Sequence, residues 1–576
     1  MDKRFFLALL LTAIVIVATP LLFPGSTRHP VPVQASDSLA ALARPGTTAA
    51  RTAGPRDSIR STSTLNTAAA PGLAAGAAMV PVVPVETTTV HARRTTYAFT
   101  SLGGAPVSVV LDSYPSRRPR RRTQTGVELT PPRAPLTHYR LIVGADTVSL
   151  DTVALRAETQ GLGGPSPQLT YSGVAAGHVL RLTYAFVPDS FIVRMHAAVE
   201  GAPKGSALLV ELPRTIASNE PDTLEDQGKL AVSYRTTRGE VSSVGFGKLD
   251  SSEVRVVPGP LSWVATRNKY FLVAYRAEAA HPFTGIQLVG MPKRGKVATN
   301  LLATASLPLV NGAAGFDLYT GPQDSERLQR LGADLDQVNP YGGWLNGLVQ
   351  PVATIVVRVL LWVKRTTQLN YGWVLVLFGV FIRLALWPLN QGAMRTSMKM
   401  QRLAPEQQAI QKRYADDPKK QQEAIMKMYK DHGMSPLSPL MGCLPMLLPM
   451  PILFALYFVF QNTIELRGVP FLWLPDLSVR DPFFITPLLM GLSMFVMSWI
   501  GLKGSPPNPQ AKMMSYMMPV VMTVVFLNFA SGLNLYYAVQ NLAALPQQWL
   551  LSRERAKQPP LAVVAQGPSA TIKRRS

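Results

Sequence analysis

Residues 371–389 read YGWVLVLFGVFIRLALWPL, an apolar run with one arginine, Arg383, inside it. A run of this length is enough to cross a bilayer, and Tyr371, Trp373 and Trp387 stand at its ends, where amphipathic rings meet lipid headgroups. A cation in the middle of a spanning helix costs about 2.5–3.5 kcal/mol on insertion scales, so it belongs against a polar or wet interior. The competing reading is snorkelling, because Arg383 lies about 9 Å from the end of the run, within reach of the interface.

The rest of the chain agrees with a membrane protein that carries a soluble part. Of its 576 residues 47% are hydrophobic and 16% charged, and the hydrophobic residues come in blocks. The net charge of +23 is accompanied by no zinc-ligand spacing and no RNA-binding aromatic signature, so no specific nucleic acid is expected as a partner. A basic membrane protein instead faces the anionic lipid bilayer, the ribosome or acidic polypeptide segments. The single cysteine, Cys443, excludes an intramolecular disulfide. The seven histidines are scattered and no HExxH occurs, so neither a metal site nor Ser/His/Asp chemistry is expected.

Residues 1–23 combine a basic start, MDKR, with an apolar stretch longer than a signal-peptide core, and predict an uncleaved transmembrane anchor. Residues 24–90, rich in Ala, Thr, Ser and Pro, read as a flexible linker. From 91 to 335 short alternating runs such as Tyr139–Val143 and Tyr270–Tyr275, punctuated by Gly, Pro, Asn and Asp, predict a large external antiparallel β-sandwich. The basic run RRPRRR at 117–122 reads as an exposed loop of that domain.

After 371–389, further hydrophobic blocks follow at 441–460, 483–501, 513–531 and 534–551. The stretch 344–363 is apolar enough to be mistaken for another span. Were it to cross, the loop 390–440, with Arg395, Lys399, Arg402, Lys412, Arg413, Lys419, Lys420, Lys427 and Lys430, would lie outside, against the positive-inside rule. Residues 340–367 are therefore expected as an amphipathic helix in the outer interface. The predicted topology has six spans, with the N-terminus and the basic tail 552–576 both cytoplasmic. Within 391–437, Ile425, Met428 and Tyr429 form one apolar stripe, and Met394, Met398, Leu403 and Ile410 another. With a turn at Asp416-Asp417-Pro418 and a stop at Gly433, this predicts an antiparallel helical hairpin.

The stretches FIRLALWPL (381–389), MGCLPMLLPMPILFALYFV (441–459), ELRGVPFLWLPDLS (465–478) and MMPVVMTVVFLNFASGLNLYYAVQN (517–541) closely resemble the YidC membrane-protein insertase family. The match is colinear over about 340–551, and a β-sandwich ahead of five core spans resembles the members found in bacteria with two membranes. In the β-region the motif support is weaker, as in SWVATRNKYFLVAY (262–275). The resemblance implies a five-helix insertase core, 371–551, in the bacterial inner membrane. It implies a hydrophilic groove open to cytoplasm and lipid but closed to the outside. No cofactor and no enzymatic step are implied: newly made membrane proteins are the substrates, and components of the Sec translocon, together with the ribosome through the hairpin and basic tail, are expected partners.

The resemblance also assigns residues. Arg383 matches the groove arginine, and Tyr537 is the second of the family's paired tyrosines, next to Tyr536. Asn528, Gln540 and Asn541 are the polar side chains of the last two spans expected to join them, each with helix–helix hydrogen bonding as its plainer role. Met450, Leu453, Phe454, Met518, Met522 and Phe526 are the expected hydrophobic exit surface, with core packing as the plainer role. Three departures from the family pattern stand out. Pro449 joins Pro445 and Pro451 in one kinked span, Asn528 is expected to wet the groove near its top, and Gly379 is expected to widen the cavity. Two other classes remain open from the residues alone. One is a translocon-associated membrane chaperone without insertion activity of its own. The other is a transporter, against which stands the lack of a second charge deep in another span.

Overall fold

The computed structural model describes residues 85–556, apart from 119–125, 133, 162–163, 165, 294, 296, 340–345, 389, 393–402, 404–405, 408, 416, 433–449 and 504–508. The anchor 1–23, the linker up to residue 84, Met394, Met398, Gly433, Pro445, Pro449 and the tail beyond Ala556 lie outside the described residues.

Alternating sequence in the first half folds into two antiparallel sheets. The smaller runs through Thr87–Ala92, Thr95–Thr100, Pro106–Pro115 and Gly126–Glu128. Its first strand begins four residues inside the stretch read as linker, because TTTVHA carries no apolar alternation to announce a strand. The larger has 14 strands, with the long strand Val254–Arg267 at its centre pairing with Phe283–Gly290 through one half and Phe271–Ala277 through the other. Aromatic side chains fill the space between the sheets. Tyr97, Phe99, Tyr139, Tyr184, Trp263 and Tyr275 are all buried, each contributing about 1.5–3 kcal/mol by leaving water. Phe99 packs at a tilt against Tyr184, ring centroids 4.7 Å apart, and Tyr97 and Thr320 share a 2.6 Å hydrogen bond across the two layers. Two short helices belong to this domain, α1 (Thr223–Gln227) and α2 (Ser325–Leu331).

The second half is helical: α3 (Asn346–Thr367), α4 (Tyr371–Ala385), α5 (Pro418–Asp431), α6 (Met450–Asn462), α7 (Ile485–Leu502), α8 (Pro509–Phe526) and α9 (Ser531–Ala556). α3 buries Val349, Ala353, Val356, Val357 and Leu360 along one stripe and exposes Ile355, Arg358 and Trp362 on the other. It meets α4 at 119°. Asn370 caps α4 by accepting from the Gly372 N–H, and Gly372 lets the Phe471 ring close on the helix. In α5, Asp417 accepts from the Lys419 and Lys420 N–H groups with Pro418 in the first turn, and Ile425, Met428 and Tyr429 pack with Leu403 and Ile410. Among the described residues α7 alone is long and apolar enough to cross a membrane unaided; α3 and α4 pass that test only as a bent pair. α9 is the hub of the bundle, packing on α4, α6 and α7, while α8 packs on α7. It starts three residues before the block read as the last span and carries helix five residues into the stretch read as tail.

Candidate functional site

The regular turns of α4 stop at Ala385, so Arg383 sits in the last of them. Pro388 explains the interruption, since it has no N–H for the Leu384 carbonyl. Arg383 therefore stands toward the favourable C-terminal end of the α4 dipole. Its side chain is half-buried and turns toward α9. Nη2 donates to Oε1 of Gln547 at 2.8 Å, and Gln547, 1% exposed, donates in turn to the Trp387 carbonyl at 3.4 Å. The Nε of Arg383 is closed off from solvent and has no hydrogen-bond partner among the described residues.

Gly379 sets how close the two helices come. A Cβ there would lie 3.3 Å from Val539 Cγ1 and 3.5 Å from Tyr536 Cδ2. The small residue does not widen a cavity, as expected from sequence; it lets α9 close against α4. Beside it, the Phe378 and Tyr536 rings meet at 5.8 Å.

Helical geometry then sorts the polar residues of α9 into two stripes. Tyr536, Gln540 and Gln547 share the face toward α4, whereas Tyr537, Asn541 and Gln548 share the face toward α7. Asn541 donates to Ser493 Oγ of α7 at 3.2 Å, the plainer of the two roles foreseen for it. Tyr537 packs edge-on against Phe526 at 5.5 Å. Asn528 is exposed in the turn between α8 and α9, because the helix ends at Phe526, before reaching it. Gln547 is the residue that sequence reasoning missed. Its signal was present: it lies seven residues after Gln540, two turns along the same face. Asn534 was missed as well. It is fully buried and donates to the Phe526 carbonyl at 3.1 Å, fixing the α8–α9 turn.

The side chains expected on the exit surface differ in burial. Phe526 is buried against Phe529 at 4.7 Å, and Met522 and Phe454 are partly buried against the same core. Met518 is half-buried, while the side chains of Met450 and Leu453 lie outside the described residues. The exposed apolar stripe of α8 runs instead through Met513, Met517, Val520 and Val524. On α8, Met522 and Phe526 face the core, where Phe526 packs against Tyr537. Among the described residues no three His, Cys, Asp or Glu side chains form a metal site.

Residues 362–558 match the family model described as 60Kd inner membrane protein, and residues 87–355 the one described as YidC periplasmic domain. The chain is 30% identical over 491 residues to the membrane protein insertase YidC of Anaeromyxobacter dehalogenans, covering 83% of this chain and 86% of that protein. It is 33% identical over 432 residues to the protein of the same name from Ralstonia nicotianae, covering 72% and 74%. A crystal structure of an active YidC insertase with its first transmembrane domain resolved aligns over 81% of this chain and 95% of that one, at 20% identity and a TM-score of 0.33.

Proposed function

This chain belongs to the YidC family of membrane protein insertases, and we propose on that premise that Arg383, Gln540 and Gln547 line the groove that receives polar segments of newly made membrane proteins. The observation that carries the reading is Arg383 itself: its guanidinium is tied by one arm to Gln547, and its Nε has no partner among the described residues. A carboxylate of an incoming segment offers that N–H an acceptor, and a charge-assisted hydrogen bond formed away from bulk water is stronger than one at a surface. A polar pocket part-way through the bilayer shortens the hydrocarbon path and so lowers the desolvation cost of the translocated segment. The substrate's apolar helix then leaves for lipid, driven by its own hydrophobicity.

In this reading the chain has six spans with both termini cytoplasmic and the β-domain on the periplasmic side of the bacterial inner membrane. The substrate helix leaves along the stripe Met513, Met517, Val520 and Val524. The basic hairpin and tail face the ribosome, and the chain works alone or beside the Sec translocon. The test is insertion of a single-span substrate with an acidic translocated tail into liposomes holding only this protein. Wild type is expected to insert, Arg383→Lys to retain insertion, and Arg383→Ala to lose it. Insertion by Arg383→Ala at the wild-type rate would reduce Arg383 to a snorkelling residue. No insertion by folded wild type would favour a translocon-dependent chaperone.

A further inference from the structure

The β-domain and the helical half exchange arginines. From the helical side Arg467, with its side chain 2% exposed, pairs through Nε with Glu220 Oε1 at 2.7 Å and donates to the Pro115 carbonyl at 3.1 Å. Its guanidinium lies over the Phe271 ring at 5.3 Å. From the β-side Arg117 reaches the opposite way, donating to the Gly468 carbonyl at 3.1 Å and pairing with Asp476 at 3.6 Å. Arg117 is thus no exposed loop residue, as its basic run suggested. Gly468, at φ +72°, is the residue type its approach requires, because a Cβ there would run into the guanidinium.

Asp476 does not end the chain of contacts. Its Oδ1 accepts from the Ser478 N–H at 2.8 Å and hydroxyl at 2.7 Å, and its carbonyl accepts from Ser531 Oγ at 3.0 Å. The N–H groups of Ser531 and Gly532, which have no partner inside their own helix, donate to the carbonyls of Val479 and Leu477 at 2.7 and 2.9 Å. A Cβ on Gly532 would stand 3.0 Å from the Leu477 carbonyl oxygen. The loop that Arg117 holds is therefore the cap on which α9 starts, and α9 carries Gln540 and Gln547.

We propose that the β-domain braces the substrate groove, with Arg117 a positioning residue that acts through Asp476 on the seat of α9. This rests on the groove reading above, and its first measurement needs no substrate. Hydrogen–deuterium exchange is followed at residues 529–536 in the full chain in nanodiscs, for wild type, Arg117→Ala, Arg117→Lys and Asp476→Asn. Asp476→Asn keeps an acceptor for Ser478 while removing the charge that Arg117 pairs with. Exchange at Ser531 and Gly532 is expected to rise at least fivefold in Arg117→Ala and Asp476→Asn, and to stay within twofold of wild type in Arg117→Lys. Protection of the strand Phe271–Ala277 is expected to hold in all four. Insertion into liposomes is expected to slow about threefold or more in the same two variants and to recover with lysine. Exchange unchanged in both variants overturns the brace. So does faster exchange with insertion at the wild-type rate while Arg383→Ala, run in parallel, abolishes it. That parallel variant tests the groove reading separately.

Discussion

Arg383 and Gln547, 164 positions apart, meet at 2.8 Å through a guanidinium N–H and a side-chain carbonyl oxygen. A neutral acceptor satisfies one arm of the cation without cancelling its charge. That distinguishes the arrangement from a structural ion pair, in which a carboxylate would neutralise the site.

Gln547→Glu is accordingly expected to slow insertion of an acidic-tailed substrate about tenfold while leaving a neutral-tailed one within twofold, since the new carboxylate competes for the guanidinium. Initial rates with the two substrates in liposomes check it. Equal slowing of both would point to damaged packing. Gln547→Leu, which leaves Arg383 with a second unsatisfied arm, is expected to lower stability by about 1–3 kcal/mol.

At Gly379 the expected cost rises with size. Gly379→Ala has 3.3 Å to Val539 Cγ1 and needs only a small shift, whereas Gly379→Leu is expected to cost about 1–3 kcal/mol by driving α4 and α9 apart. Thermal unfolding in detergent measures the series. If Gly379→Leu were neutral in stability and raised groove accessibility, the cavity-widening role first read from sequence would return.

Removing one member of the buried Arg467–Glu220 pair leaves the other charged and unpaired. Arg467→Ala is expected to cost about 3–5 kcal/mol, and the double replacement Arg467→Met with Glu220→Leu to recover most of it. A double-mutant cycle on thermal unfolding gives the coupling. Additive losses would mean that the pair contributes no coupling.

Where the two halves meet, Glu465 has a buried Oε1 without a partner among the described residues, and burial, reinforced by the nearby Asp324 carboxylate, pushes its pKa up to about 7. A carboxyl that holds its proton more tightly when folded contributes stability that is complete below the unfolded pKa and disappears as pH rises through the folded value. Stability is therefore expected to fall between pH 4.5 and 7. Asp226, pushed by burial up to about 6, acts in the same direction over a lower window. Glu465→Gln should reduce the slope most near pH 7, where Asp226 has largely finished titrating. An unchanged slope in that variant assigns it to another group.

Much of this architecture could be read without coordinates, for reasons that differ by region. The stripe of α5 follows the helical period, so Ile425, Met428 and Tyr429 announced its packed face, and Asp417-Pro418 announced a helix start. The strand beginning at Thr87 was invisible because its pairing with Thr95–Thr100 supplies the stability that its own residues do not signal. Among the candidate groove residues, Arg383 stood out because an apolar run makes a lone charge conspicuous. Gln547 did not, because a glutamine near a helix end looks ordinary until its partner across the bundle is known. The block read as 513–531 ends as helix at Phe526, so Asn528 falls in a turn, because hydropathy locates a helix end only within a few residues.

By itself, then, the sequence determined what local pattern controls: which segments are apolar enough to leave water, that a helix starts at Asp417-Pro418, and which segment carries the lone cation. Only the tertiary structure decided which α9 stripe faces Arg383, that Gly379 draws two helices together, and that Arg117 and Arg467 cross between the two halves. The physical reason is that periodicity and hydropathy act over a few residues of chain. The direction of a guanidinium is set by acceptors more than a hundred residues away, brought near only when the core has packed.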